Sequence, residues 1–193
     1  MNAIFISLIT AATFLSACGG NKKSGKEITL TNDTVQTQVP VANNTAGSAG
    51  LVNVLVTEYL VLKNALASDD GATAASAAKN IVDAISKNDE ATFTPDQKKL
   101  FDDVKDDMKE HAEHISANAG KLDHQREHFD MLSQDMYDMV KVFKPSRALY
   151  QTHCPMYNDK KGASWLSETK EIKNPYYGKK MLDCGMVKEE LKP

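Results

Sequence analysis

From Leu51 onward, apolar residues return every three or four positions, the spacing of a helix with one buried face. Leu51, Leu55, Tyr59, Leu62 and Leu66 predict a first helix to about Ala67, and Ser68-Asp69-Asp70-Gly71 breaks it. An Ala-rich stretch from about Ala72 to Lys87, with Ile81, Val82 and Ile85 as its bulk, predicts a second helix. Thr94-Pro95-Asp96-Gln97 opens a third: Thr94 suits the cap, Pro95 the first turn, and Gln97 completes a capping box. Its stripe is Leu100, Val104, Met108, His111 and Ile115, and Asn118 to Leu122, centred on Gly120, closes it. Asp123 is the expected cap of a fourth helix, whose stripe runs through Gln125, His128, Phe129, Leu132, Met136, Met139 and Phe143 to a stop at Lys144-Pro145.

Four helices with short connections predict an all-α fold, an antiparallel up-down four-helix bundle over residues 51–144. Residues 145–193 break this period. Pro155, Pro175, Gly162, Gly178 and Gly185 interrupt them, and Tyr150, Tyr157, Trp165, Tyr176 and Tyr177 gather there. The expectation is an irregular C-terminal tail rich in aromatics, Cys and Met, packed on the bundle as part of the same domain.

The start of the chain follows a different pattern. Residues 3–15 are an apolar run broken only by Ser and Thr. Its length suits a signal peptide and falls short of the about 20 residues that a spanning helix needs. Leu15-Ser16-Ala17-Cys18-Gly19 follows directly and resembles the lipobox of bacterial lipoproteins. The leader carries no Lys or Arg, so its positive charge is the α-amino group of Met1. These residues predict a signal peptide over 1–17 and a lipid, palmitate included, on Cys18. Residues 18–50, dominated by Gly, Ser, Asn and Thr, read as a lipidated flexible tether. Gly19 after the lipidated Cys, with Lys22, Lys23 and Lys26 beyond, points to the outer membrane, facing the periplasm.

A net charge of −3 and the lack of a basic tract with interleaved aromatics argue against nucleic acid as a partner. No nucleophile comes with a base and an orienting acid, and no Gly-rich phosphate loop is present, so no enzyme is expected. His111-Ala112-Glu113-His114 has a shorter spacing than the zinc-peptidase motif.

Two sets of residues carry candidate chemistry. The first lies in the tail. Cys154 and Met156, with Met181, Cys184 and Met186, offer soft thiolate and thioether sulfurs suited to Cu(I), and His153 stands beside them. In an exported chain the same two cysteines can instead form a disulfide, stapling a segment that lacks core of its own. His153-Cys154-Pro155-Met156 and Cys184-Gly185-Met186 resemble the Cys-Pro-Met and Cys-Gly-Met signature of small heavy-metal-binding modules attached to copper efflux proteins. A larger block resembles the family known as domain of unknown function 3347. It comprises Leu149-Tyr150, His153 to Met156, Gly162, Trp165-Leu166-Ser167, Ile172 to Gly178, Met181-Leu182 and Cys184-Gly185. With the helices before it, that likeness covers about residues 51–190. The resemblance implies a helical, metal-linked, non-catalytic domain, found in lipoproteins and in adaptor subunits of heavy-metal efflux pumps.

The second set is His111, His114, His124 and His128, which holds four of the five histidines of the chain. On a helical wheel His111 sits in its apolar stripe and His114 about 60° to one side. His128 lies on the apolar face of the fourth helix, with His124 at its edge. Folding about Gly120-Lys121 brings the two pairs level, an arrangement that holds Zn or Cu in bundles; core or boundary histidines are the alternative. Glu110, Glu113 and Glu127 are nearby, either as partners of the imidazoles or as a solvated face. The two sets make one shared site, bridged by His153, or two separate ones. The functional expectation is an anchored lipoprotein that binds copper or zinc for buffering, resistance or hand-over to efflux components. The competing expectation is a metal-free helical interaction module stapled by a Cys154–Cys184 disulfide.

Overall fold

The computed structural model describes residues 48–193. The leader, Cys18 and nearly all of the tether lie outside those residues. Four long helices come first: α1 (Ser48–Ala67), α2 (Gly71–Ser86), α3 (Pro95–Ala117) and α4 (Leu122–Phe143). Each packs on the next, and α4 also packs on α1.

Helix α1 is the central element. Leu55, Val56, Tyr59, Leu62 and Leu66 are all within 1 % of complete burial, because α2, α4 and the C-terminal strands cover different sides of it. Gly50–Ala67 is long and apolar enough to cross a membrane by composition, yet 67 % of it is buried within the fold, as in a soluble core helix. Helix α2 starts at Asp70, whose carboxylate accepts from the Thr73 backbone N–H at 3.0 Å. Its first residue, Gly71, abuts the Ala119 carbonyl of the α3–α4 turn, and a Cβ there would collide with it.

The capping box at Thr94 and Gln97 forms as expected, with Pro95 opening α3. The buried side of α3 is Phe101, Met108, Ala112 and Ile115, whereas Leu100 and Val104 are only half-buried. Phe101 takes the leading core position because Phe93 meets it edge-on, at 5.3 Å between ring centroids. Asp123 does not cap α4. The cap position belongs to Lys121, which makes no side-chain capping bond, while Asp123 lies inside the first turn, 3.6 Å from Arg126.

The tail corrects the all-α expectation. Leu149–Cys154 (β1), Ala163–Ser167 (β2) and Met186–Leu191 (β3) form an antiparallel sheet in the order β2-β1-β3. The breakers Pro155, Gly162 and Gly185 fall between the strands rather than within them. Each intervening run has strand length, and in β1 buried Leu149, Thr152 and Cys154 are separated by half-buried positions, with a register shift between Gln151 and Thr152. Strand β2 lies against α4, where Tyr59 accepts a bond from the Leu166 N–H (3.1 Å) and shares one with Ser133 (2.8 Å).

Arg126 ties the connection between β2 and β3 to the helices. Its buried guanidinium donates to Pro175 O (2.9 Å) and Leu66 O (3.1 Å) and pairs with Asp69. Gly178 packs so closely on that pair that a Cβ would collide with Asp69, and its positive φ of 55° also favours glycine. Asn174 closes the same segment, donating to Cys184 O (2.7 Å) and accepting from Tyr176 N (2.8 Å).

Candidate metal centre

The α3–α4 turn is short and held from inside the fold. Gln125, fully buried, donates from one amide nitrogen to Gly71 O and to Ile115 O, both at 3.0 Å. This fixes the last turns of α3 beside the first turns of α4. Residues at i,i+3 on one helix (His111, His114) then face residues at i,i+4 on the other (His124, His128).

His128 is the hub of the group. Its ring stacks on His114, with centroids 4.2 Å apart and 8° between the planes, and meets His124 nearly at right angles at 4.6 Å. Its Nδ1 lies 3.1 Å from Nδ1 of His111, a hydrogen bond in which one ring donates and the other accepts. Ligand nitrogens of His114, His124 and His128 all lie within 4.8 Å of one another. His114 is exposed and the other three are half-buried. Nδ1 of His124 lies 3.5 Å from the Glu127 carboxylate, whereas Glu113 reaches Lys109 instead, at 3.9 Å.

Electrostatics favour the neutral imidazole here. Burial holds His111 below the usual histidine range, partly offset by the negative Glu110 and Asp107. Burial does the same to His128, and the neighbouring His114, His124 and His111 push in the same direction. A neutral ring is the form that ligates a metal.

The sulfur set is arranged differently. Cys154, at the end of β1, is buried, and its Sγ lies 2.7 Å from that of Cys184. Burial, with the Cys154 sulfur next, pushes the Cys184 thiol up to about 11. Met156, Met181 and Met186 are exposed at 47 %, 37 % and 49 %. His153 does not bridge the two sets. It is next to Cys154 on a strand, where successive side chains point to opposite faces, and its Nδ1 bonds the Ser164 hydroxyl at 3.0 Å. It lines a cleft of about 590 Å³ with Asp130, Tyr137 and Trp165.

Two positions near the centre were not singled out by the sequence. Arg126 stands among apolar stripe residues of α4 with only that position as a signal. Asp135, on the α4 side that faces Asp107, is pushed up to about 6, by burial first and then by the charges of Asp107 and Asp138.

Residues 55–148 match the family described as Protein of unknown function (DUF3347). The matched segment contains all four clustered histidines and ends before Leu149, so the sulfur-bearing strands lie beyond it. No curated protein and no solved structure matches the chain.

Proposed function

We propose that this chain, with its DUF3347 helical region, is a membrane-anchored periplasmic lipoprotein that binds copper or zinc at the α3–α4 histidine cluster. Its role in this reading is to buffer the metal, confer resistance, or hand the ion to an efflux system. The carrying observation is the convergence of three imidazoles within 4.8 Å at the turn end of a helical hairpin. Burial and the neighbouring imidazoles make His128 give up its proton more readily than an isolated histidine, and the neutral ring can offer a lone pair to a cation. The anchor rests on the Leu15-Ser16-Ala17-Cys18 pattern. For the helices we adopt the antiparallel up-down bundle, in line with their sequential packing and the return contact of α4 on α1.

The second reading, a Cys154–Cys184 disulfide, has its own support. Two sulfurs bound to one tetrahedral ion at about 2.3 Å each would stand roughly 3.7 Å apart. A separation of 2.7 Å is shorter than that, and the three methionines are solvent-exposed. We therefore assign the cysteines to a staple for the strands and the histidines to the metal. This staple is compatible with metal binding, so the interaction-module reading differs only in leaving the histidines empty.

The test is metal uptake by the reduced and the oxidised full chain, against a His114→Ala/His128→Ala variant. Stoichiometric zinc or copper binding, kept on oxidation and lost in the double variant, is the expected result. Equal uptake by all three samples, or none by any, removes the reading.

A further inference from the structure

We infer that the centre is a three-imidazole site for a borderline divalent ion, Zn(II) or Cu(II), and that His111 is a positioning residue rather than a ligand. The inference rests on the metal-binding reading above and specifies how that site works. His114, His124 and His128 are the ligands, one coordination position stays open to solvent, and His111 sets the tautomer of His128.

A bond between two Nδ1 atoms 3.1 Å apart holds one hydrogen. If His111 donates it, the remaining proton of neutral His128 sits on Nε2, and no lone pair is left for an ion. If His128 donates, its Nε2 is bare and becomes the ligand atom. A cation on Nε2 withdraws electron density and makes Nδ1–H a better donor to His111, so ion and hydrogen bond reinforce each other. Nδ1 of His111 is engaged in that bond, and His111 stands outside the group whose ligand atoms converge.

At His124 the Nδ1 faces the Glu127 carboxylate at 3.5 Å, a looser contact that favours a proton on Nδ1 and a ligating Nε2. His114 is the movable ligand. Its ring lies parallel to His128, and parallel rings direct their lone pairs along parallel planes that do not meet on one ion. Three nitrogens about 2.0–2.1 Å from a tetrahedral ion stand about 3.3 Å apart. Closing the group from its present span therefore requires a turn of His114, which is exposed and free to make it. With no thiolate or thioether among them, an all-imidazole set suits Zn(II) or Cu(II) rather than Cu(I). Because His114 stands in solvent, the fourth position is taken by water or by a donor from elsewhere.

The experiment measures Zn(II) and Cu(II) affinity by chelator competition and the Co(II) absorption spectrum of the full chain. The proteins are wild type, His111→Ala, His111→Gln and His128→Ala, each checked for wild-type helical circular dichroism. The expected result for His111→Ala is an affinity about 10- to 100-fold lower, with one ion per chain and an unchanged Co(II) band envelope. His111→Gln, whose amide oxygen can accept from His128, recovers most of that loss. His128→Ala changes the Co(II) spectrum and loses more affinity than His111→Ala. A changed Co(II) spectrum in His111→Ala makes His111 a ligand and overturns the inference. Wild-type affinity in His111→Ala, or no recovery in His111→Gln, also overturns it. Absence of Zn(II), Co(II) and Cu(II) binding by the wild type removes this inference and the metal-binding reading together, whereas the other failures leave that reading standing.

Discussion

The α3–α4 hairpin and the strand region each gather soft or borderline ligand atoms, and they do so with opposite results. On the hairpin, helical periodicity points ligand atoms of three imidazoles at a common space, and one of them, His114, remains in solvent. In the strands, two thiols face each other at 2.7 Å, and the thioethers of the same stretch stand exposed. The hairpin gathers neutral ring nitrogens whose lone pairs a cation can share. The strand region satisfies its donors internally, each cysteine sulfur by the other. Residue types alone do not distinguish these two cases, because the distances within each set decide which one has room for an ion.

The largest expected effect breaks the comparison on the strand side. Cys154→Ser in the oxidised protein removes a staple that closes a loop of about 30 residues, and should cost about 3 kcal/mol in denaturant unfolding. Zinc affinity should stay within about threefold of wild type. Non-reducing mass spectrometry of the unmodified chain should find it lighter by two hydrogens than the reduced form. On the hairpin side, His128→Ala should weaken zinc at least about 100-fold, about 2.7 kcal/mol, without changing stability in the absence of metal by more than about 1 kcal/mol.

Arg126 joins the two regions. Arg126→Met keeps the apolar stem but leaves the Pro175 and Leu66 carbonyls and Asp69 without their donor. A loss of about 2 kcal/mol is expected, with faster hydrogen exchange at residues 174–180 than in α2. The smallest effect is a pH dependence. Folded Asp135 holds its proton up to about 6, against 3.8 for an ordinary Asp. Its neutral form is favoured in the fold, so this contribution is complete below about pH 4 and is lost as pH rises through 6. Asp135→Asn should flatten that stretch of the stability curve and gain about 1 kcal/mol at pH 7, the shift being discounted for partial exposure.

Legibility in the sequence followed the range of the interactions. The start of α3 was readable because Thr94, Pro95 and Gln97 settle it within four residues. The start of α4 differs from the spacing because Asp123 pairs with Arg126 instead of capping, a choice tied to the contacts of Arg126 with α1 and the tail. The strands are hard to read because each has only five or six residues, too few for a period to stand out. Their pairing spans distant positions, as in Leu149 with Leu191. The histidine pairs are legible because i,i+3 and i,i+4 spacing is a local property. That Nδ1 of His111 meets Nδ1 of His128 depends on ring orientation, which no spacing encodes.

The central claim, that the imidazoles rather than the sulfurs hold the ion, is tested most directly by anomalous diffraction at the zinc edge from crystals of the zinc-loaded chain. The account predicts one anomalous peak bonded to nitrogens of His114, His124 and His128 at about 2.0–2.1 Å. A peak on the Cys154 and Cys184 sulfurs, or loaded crystals with no peak at the hairpin, would contradict it.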